Sequence, residues 1–152
     1  MWTDALIAYL HFAAIFTLLW FFAKQWTLFK AGPDKLDVQR LALSDRGVGL
    51  SAVAVLATGL TRALAGIKPW VFYAHNPVFH AKVGIFLLIA LISIKPTLTF
   101  LRWRRAAQAD ASFRPDPAEW RRMRVILMIE LHLLAVLPLL AALMSRGIGW
   151  RG

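Results

Sequence analysis

The sequence predicts an all-α integral membrane protein, a single four-helix bundle spanning the bilayer with both termini outside. Three observations point there. Of 152 residues, 59% are hydrophobic and only 17% charged, against about half and about a quarter in a soluble domain. The mean hydropathy is +0.59. The formal net charge is nevertheless +10, which suits an apolar bundle with basic loops and not a water-soluble globule. The apolar content excludes disorder, and no periodic glycine marks a repeat. Cysteine is absent, which removes disulfides, thiolate metal sites and cysteine nucleophiles.

Four apolar runs of 17 to 20 residues carry the spans. Ala5–Ala23 has only Tyr9, His11 and Thr17 as polar members, and Val48–Leu64 has Ser51, Thr58, Thr61 and Arg62. Val78–Ile94 contains His80, Lys82 and Ser93, and Val125–Met144 contains Glu130 and His132. Each run can cross a hydrocarbon core of about 30 Å as a helix, the form that satisfies its own backbone in lipid. The leader Met1-Trp2-Thr3-Asp4 is acidic and no small-residue cleavage site follows, so the first run is expected to stay as a helix, not a cleaved signal. Ala31-Gly32-Pro33-Asp34 breaks the chain, and Leu36–Asp45 reads as a short interfacial helix before the second span. Gly66 to Pro77 is a turn-rich loop. Arg114-Pro115-Asp116-Pro117-Ala118-Glu119 ends one helix and offers an N-cap for the next.

The segments Lys24–Arg46 and Lys95–Arg124 hold thirteen basic residues, and the opposite side holds Arg62, Lys68, Lys82, Arg146 and Arg151. By the positive-inside rule, both long connections are cytoplasmic. The location expected is the bacterial inner membrane, multi-pass. Trp2, Trp20, Trp26, Trp70, Trp103, Trp120 and Trp150 fall at or beside span ends, as an aromatic belt would. Arg102-Trp103-Arg104-Arg105 and Trp120-Arg121-Arg122-Met123-Arg124 resemble base-stacking arrays. Their place beside a span end instead fits anionic lipid, so no nucleic acid is expected as a partner. A bundle this small can form a homodimer, yet no GxxxG motif marks a face.

Ionisable groups at membrane depth are costly and mark function by default. His11 lies six residues past Ala5, about 9 Å deep, and His80 two past Val78, about 3 Å. Two histidines on different helices at compatible depth, in an apolar interior, are what a b-type haem requires as axial metal ligands. Gly59 and Gly84 offer room for the macrocycle, and Arg62 and Lys82 partners for its propionates. The bland alternatives are interhelical hydrogen bonding for the histidines and snorkelling for Arg62 and Lys82. His132 lies nearer mid-membrane, and Met128 and Met144 read as packing. His75 faces solvent from its loop. Glu130, about 200° around its helix from His132, is a candidate proton-handling group.

Phe79-His80-Ala81-Lys82, Ser93-Ile94-Lys95-Pro96-Thr97 and Phe100-Leu101-Arg102-Trp103-Arg104-Arg105 resemble a bacterial family of four-helix membrane proteins of unknown function along nearly the whole chain. A more distant resemblance is to HemJ-type protoporphyrinogen oxidases and CopD-like membrane proteins. His11, Thr58-Gly59 and His80-Ala81-Lys82 fall where HemJ-type chains carry an early histidine, a Thr-Gly and a His-Ala-Lys. Asp45-Arg46 loosely echoes their acidic and basic residues before helix two, and Glu130 is nearest to their last-helix glutamate. The resemblance implies haem b on the histidines, with His and Lys82 needed for activity. The expected function is thus a haem-dependent membrane oxidoreductase acting on a hydrophobic substrate such as quinol or a porphyrinogen. Lys82 and Glu130 are its candidate catalytic groups. The alternatives are a non-enzymatic haem or copper carrier and a cofactor-free partner subunit.

Overall fold

A computed structural model describes residues 2–149. Met1, Trp150, Arg151 and Gly152 lie outside the described residues, so the belt position of Trp150 and the charge of Arg151 are not placed. In chain order the elements are α1 (Trp2–Phe29), a 3-10 turn (Pro33–Lys35), α2 (Val38–Ala65), α3 (Trp70–Ala74), α4 (Pro77–Ala109) and α5 (Pro117–Ser145). No strand occurs among the described residues. The four long helices are each long and apolar enough to cross a membrane, and large apolar side chains such as Phe16, Leu50, Leu91 and Leu139 point outward where lipid would meet them. This is a multi-pass membrane bundle. α2 packs on α1 and on α4, and α4 on α5.

Local chemistry sets the ends of the helices. Gly32 adopts φ 88°, open to glycine at no steric cost, and Pro33 follows to stop α1 from continuing. The Asp37 carboxylate accepts from the Arg40 amide to start α2. Asn76, followed by Pro77, accepts from Val78 N at 2.9 Å. Asp116, followed by Pro117, accepts from Glu119 N at 2.8 Å. These satisfy amides that a helix N-terminus leaves unpaired, and proline fits its first position.

The helices outrun the apolar segments. They have 28, 28, 33 and 29 residues, roughly 40–50 Å at about 1.5 Å per residue. Leu36–Asp45 is therefore not a separate interfacial helix: from Val38 it forms the first two turns of α2. No proline interrupts Arg46-Gly47-Val48-Gly49, and the bare Cα of Gly47 receives the Phe21 ring of α1. A Cβ at Gly47 would strike that ring near its stem, whereas one at Gly49 meets nothing within 4 Å. Gly47→Ala should destabilise the protein by about 1–3 kcal/mol through overpacking, with Gly49→Ala as the control that gains the same helix propensity. Thermal unfolding in detergent measures the difference.

Lys95–Ala109 is likewise helix, the second half of α4, and Trp70–Ala74 adds a short helix to the expected loop. The main hydrophobic cluster sits where these extensions meet. Phe29, Leu41, Phe100, Trp103, Met123 and Leu127 are buried together, with Trp26 and Trp120 packed against them. Three expected belt residues thus belong to a core. Trp120 stacks on Phe29 at 5.3 Å, and Trp103 Nε1 donates to Glu119 Oε2 at 2.8 Å. Trp2, Trp20 and Trp70 remain exposed, as belt residues should be. A second, smaller cluster of Leu18, Phe22, Ile89 and Leu134 lies within the bundle.

Candidate functional site

His11 is the side chain the fold handles most specifically. Only 7% exposed, its Nδ1 lies 2.9 Å from Thr58 Oγ1 on α2. The Thr58 hydroxyl has one proton, and it donates this to the Ala54 carbonyl at 2.6 Å. Oγ1 then accepts from His11, and the Val55 carbonyl, which also bonds the His11 ring and lies 3.2 Å from Thr58 Oγ1, can only accept as well; a proton on Nδ1 serves both and leaves the Nε2 lone pair free. A ring held this way through Nδ1 has the tautomer and orientation of a metal-ligating histidine.

Gly59 makes the arrangement possible, since a Cβ there would lie 3.1 Å from His11 Cε1. The space left at Gly59 is filled by the imidazole itself, not kept for a macrocycle. Two cations complete the site. The charges of Lys82 on α4 and Arg62 on α2 both reach His11, and Arg62 Cζ sits 5.9 Å from the Phe12 ring centroid. Tyr73 of α3 lies within the field of Arg62 and Asp4, and burial pushes its phenol above the usual range. Asp4 accepts from Ile67 N at 3.3 Å, tying the start of α1 to the connection after α2.

His80 makes a different contact. It is exposed, and its Nε2 lies 2.9 Å from the Ala74 carbonyl oxygen, which can only accept. His80 is therefore protonated on Nε2 with Nδ1 free, and it braces α3 against the first turn of α4. Gly84 has nothing within 4 Å of a notional Cβ, so space is present beside α4. His75 is exposed at the end of α3, with Nδ1 bonded to Val71 O. His132 faces outward, Nδ1 donating to Met128 O at 2.7 Å. Glu130 points the opposite way and is 2% exposed. The two do turn from each other as their spacing requires.

Glu130 belongs to a second polar group that the apolar runs conceal. Ser93 Oγ donates to Glu130 Oε1 at 2.7 Å, and Gln25 Nε2 donates to Asp45 Oδ1 at 2.9 Å. Thr97 also hydrogen-bonds Asp45, and the Asp45 charge reaches Glu130. Gln25 is 14 residues beyond His11, so the two groups are separated by about 21 Å along α1. Lys82 belongs with the first group and Glu130 with the second. Gln25 and Asp45 flank the apolar runs, and of the two only Asp45 is marked in the sequence, through the resemblance. Their signal was seam spacing: Leu18, Phe22, Gln25 and Phe29 are buried on α1 at 4-3-4 intervals, as are Met123, Leu127, Glu130 and Leu134 on α5. A polar residue on such a seam faces the interior.

No curated protein and no solved structure matches this chain. The profile of DUF2214, described as a predicted membrane protein, matches residues 3–149. That match takes in all four spans and every site residue named above, and the chain belongs to the DUF2214 family of predicted membrane proteins.

Proposed function

We propose that the protein is an integral membrane oxidoreductase that binds haem b through His11. It would act in the bacterial inner membrane, with both termini outside. The observation that carries this reading is the His11 tautomer, since Thr58 fixes the ring and leaves Nε2 as a neutral donor in a water-poor interior. Arg62 and Lys82 bring two positive charges to the same place, and these suit the two carboxylates that haem carries. When bound, the haem supplies one-electron chemistry.

The chain's own groups hold and orient. Thr58 fixes the His11 ring, Gly59 lets that ring lie against α2, and Arg62 and Lys82 bind anionic groups. Lys82 remains the candidate catalytic residue for an oxygen- or nitrogen-bearing substrate, because it alone of the cations here stands on α4 beside the open face at Gly84. The substrate class is a hydrophobic donor such as quinol or a porphyrinogen, entering from lipid; the HemJ-like placing of His11, Thr58-Gly59 and His80-Ala81-Lys82 supports it. His80 serves as second ligand through Nδ1, the nitrogen that its bond to Ala74 leaves open. A copper carrier finds less support: among the described residues no group of three or more His, Asp or Glu side chains could hold a metal ion.

The test is a haem titration of the purified protein. Thr58→Val removes the acceptor for Nδ1 while keeping the shape of the side chain, and should weaken haem affinity by about 10–100-fold. Affinity equal to wild type would remove Thr58 from the site and, with it, the argument for His11.

A further inference from the structure

We propose that Gln25, Asp45, Ser93, Thr97 and Glu130 form a buried binding site, where the apolar runs end, for a monovalent cation, a sodium ion or a proton, held between the two carboxylates. The site draws on all four long helices. α2 and α5 each contribute one carboxylate, Asp45 and Glu130, while α1 and α4 contribute the neutral groups Gln25, Ser93 and Thr97. Among the described residues the salt bridges are Arg40–Asp37 and Arg102–Glu119, so no basic side chain is paired with either buried carboxylate. Two buried carboxylates whose charges reach one another repel and lack the solvation that water would give. A bound cation removes both penalties.

An independent observation identifies what is missing. Gln25 is 2% exposed, and its amide nitrogen donates to Asp45, yet its Oε1 has no hydrogen-bond partner. That oxygen lies on the same amide group that touches the Asp45 carboxylate. Leaving a buried acceptor unmatched costs about 1–3 kcal/mol, so this position calls for a donor or a positive ion. The set as a whole has the same bias. Ser93, Thr97 and the Gln25 amide each hydrogen-bond a carboxylate, and the buried atom left unmatched among them is an oxygen. Oxygen-only donors suit a hard cation, and a proton added to one carboxylate would supply the lacking donor. If these contacts were interhelical glue and nothing more, donors and acceptors would balance. This inference does not rest on the haem reading, and its readouts involve no haem.

The experiment uses the full chain purified in detergent. Sodium chloride is titrated calorimetrically against choline chloride at constant ionic strength, and infrared spectra are recorded across pH for the protonated-carboxyl C=O stretch. Saturable sodium uptake, weakened at least ~10-fold in Asp45→Asn and Glu130→Gln, a loss on the scale seen when metal-supporting groups are removed, assigns sodium. No sodium uptake, with a protonated-carboxyl band at neutral pH that Glu130→Gln or Asp45→Asn diminishes, assigns the proton. A wild-type protein with neither sodium uptake nor that band overturns the proposal. The wild-type measurements decide this even where a variant fails to fold, and Gln25→Met, which removes the orphaned oxygen at similar volume, should weaken whichever cation is bound.

Discussion

His11→Ala is expected to yield protein that inserts and folds but carries almost no haem, a loss beyond ~100-fold in affinity, since even groups that merely support a metal ligand are worth 10–100-fold. The effect should be large because the imidazole is both buried and prearranged: Thr58 holds Nδ1, and Gly59 gives the ring its berth. Helix content and detergent melting should change little, as the vacated space lies in the half of the bundle away from the main cluster. His80→Ala should behave differently. His80 is exposed and bonded to Ala74, so its loss should leave haem bound through His11 but convert a six-coordinate, low-spin spectrum to a five-coordinate, high-spin one. A purified His11→Ala protein with wild-type haem content would show that the cofactor is held elsewhere.

Trp103→Ala should be the most damaging single change to stability, costing about 3–5 kcal/mol. The indole is 2% exposed, packs on Phe100 at 5.6 Å and donates to Glu119. It belongs to the cluster formed where the helices outrun their apolar runs, and there water supplies a hydrophobic driving force. Within the bilayer that force vanishes between helices, because lipid tails are as apolar as leucine. Leu91→Ala, on a side chain 66% exposed, should accordingly be close to neutral. The midpoint of unfolding in detergent, compared for the two variants, checks the contrast; equal losses would place the stabilising core within the spans instead.

The same contrast explains what could be read from the sequence. The four spans were legible because an apolar run of 17 to 20 residues has few other uses. The breaks at Ala31-Gly32-Pro33-Asp34 and before Pro117 were legible too, but not how far the helices outrun the spans, because beyond the runs charged residues such as Arg102, Arg104, Arg121 and Arg122 look like loop. They form solvated faces whose opposite side is the buried series Phe100, Trp103, Met123 and Leu127. At the site, His11, Thr58-Gly59, Arg62 and Lys82 stood out as polar residues in an apolar setting, and the fold gathers them. His80 also stood out, but depth along a helix does not fix the direction of a side chain, and its Nε2 turns to the Ala74 carbonyl. Gln25 was hidden at the margin of its run, where polar residues ordinarily meet headgroups or water.

The most direct measurement is the reduced-minus-oxidised visible spectrum of the detergent-purified protein, with its haem content taken from the pyridine haemochrome. A sharp α-band of b-type haem at near-stoichiometric content is expected, which Thr58→Val weakens and His11→Ala abolishes. A colourless protein, obtained after expression with ample haem supply and unable to take up added haem, would contradict it.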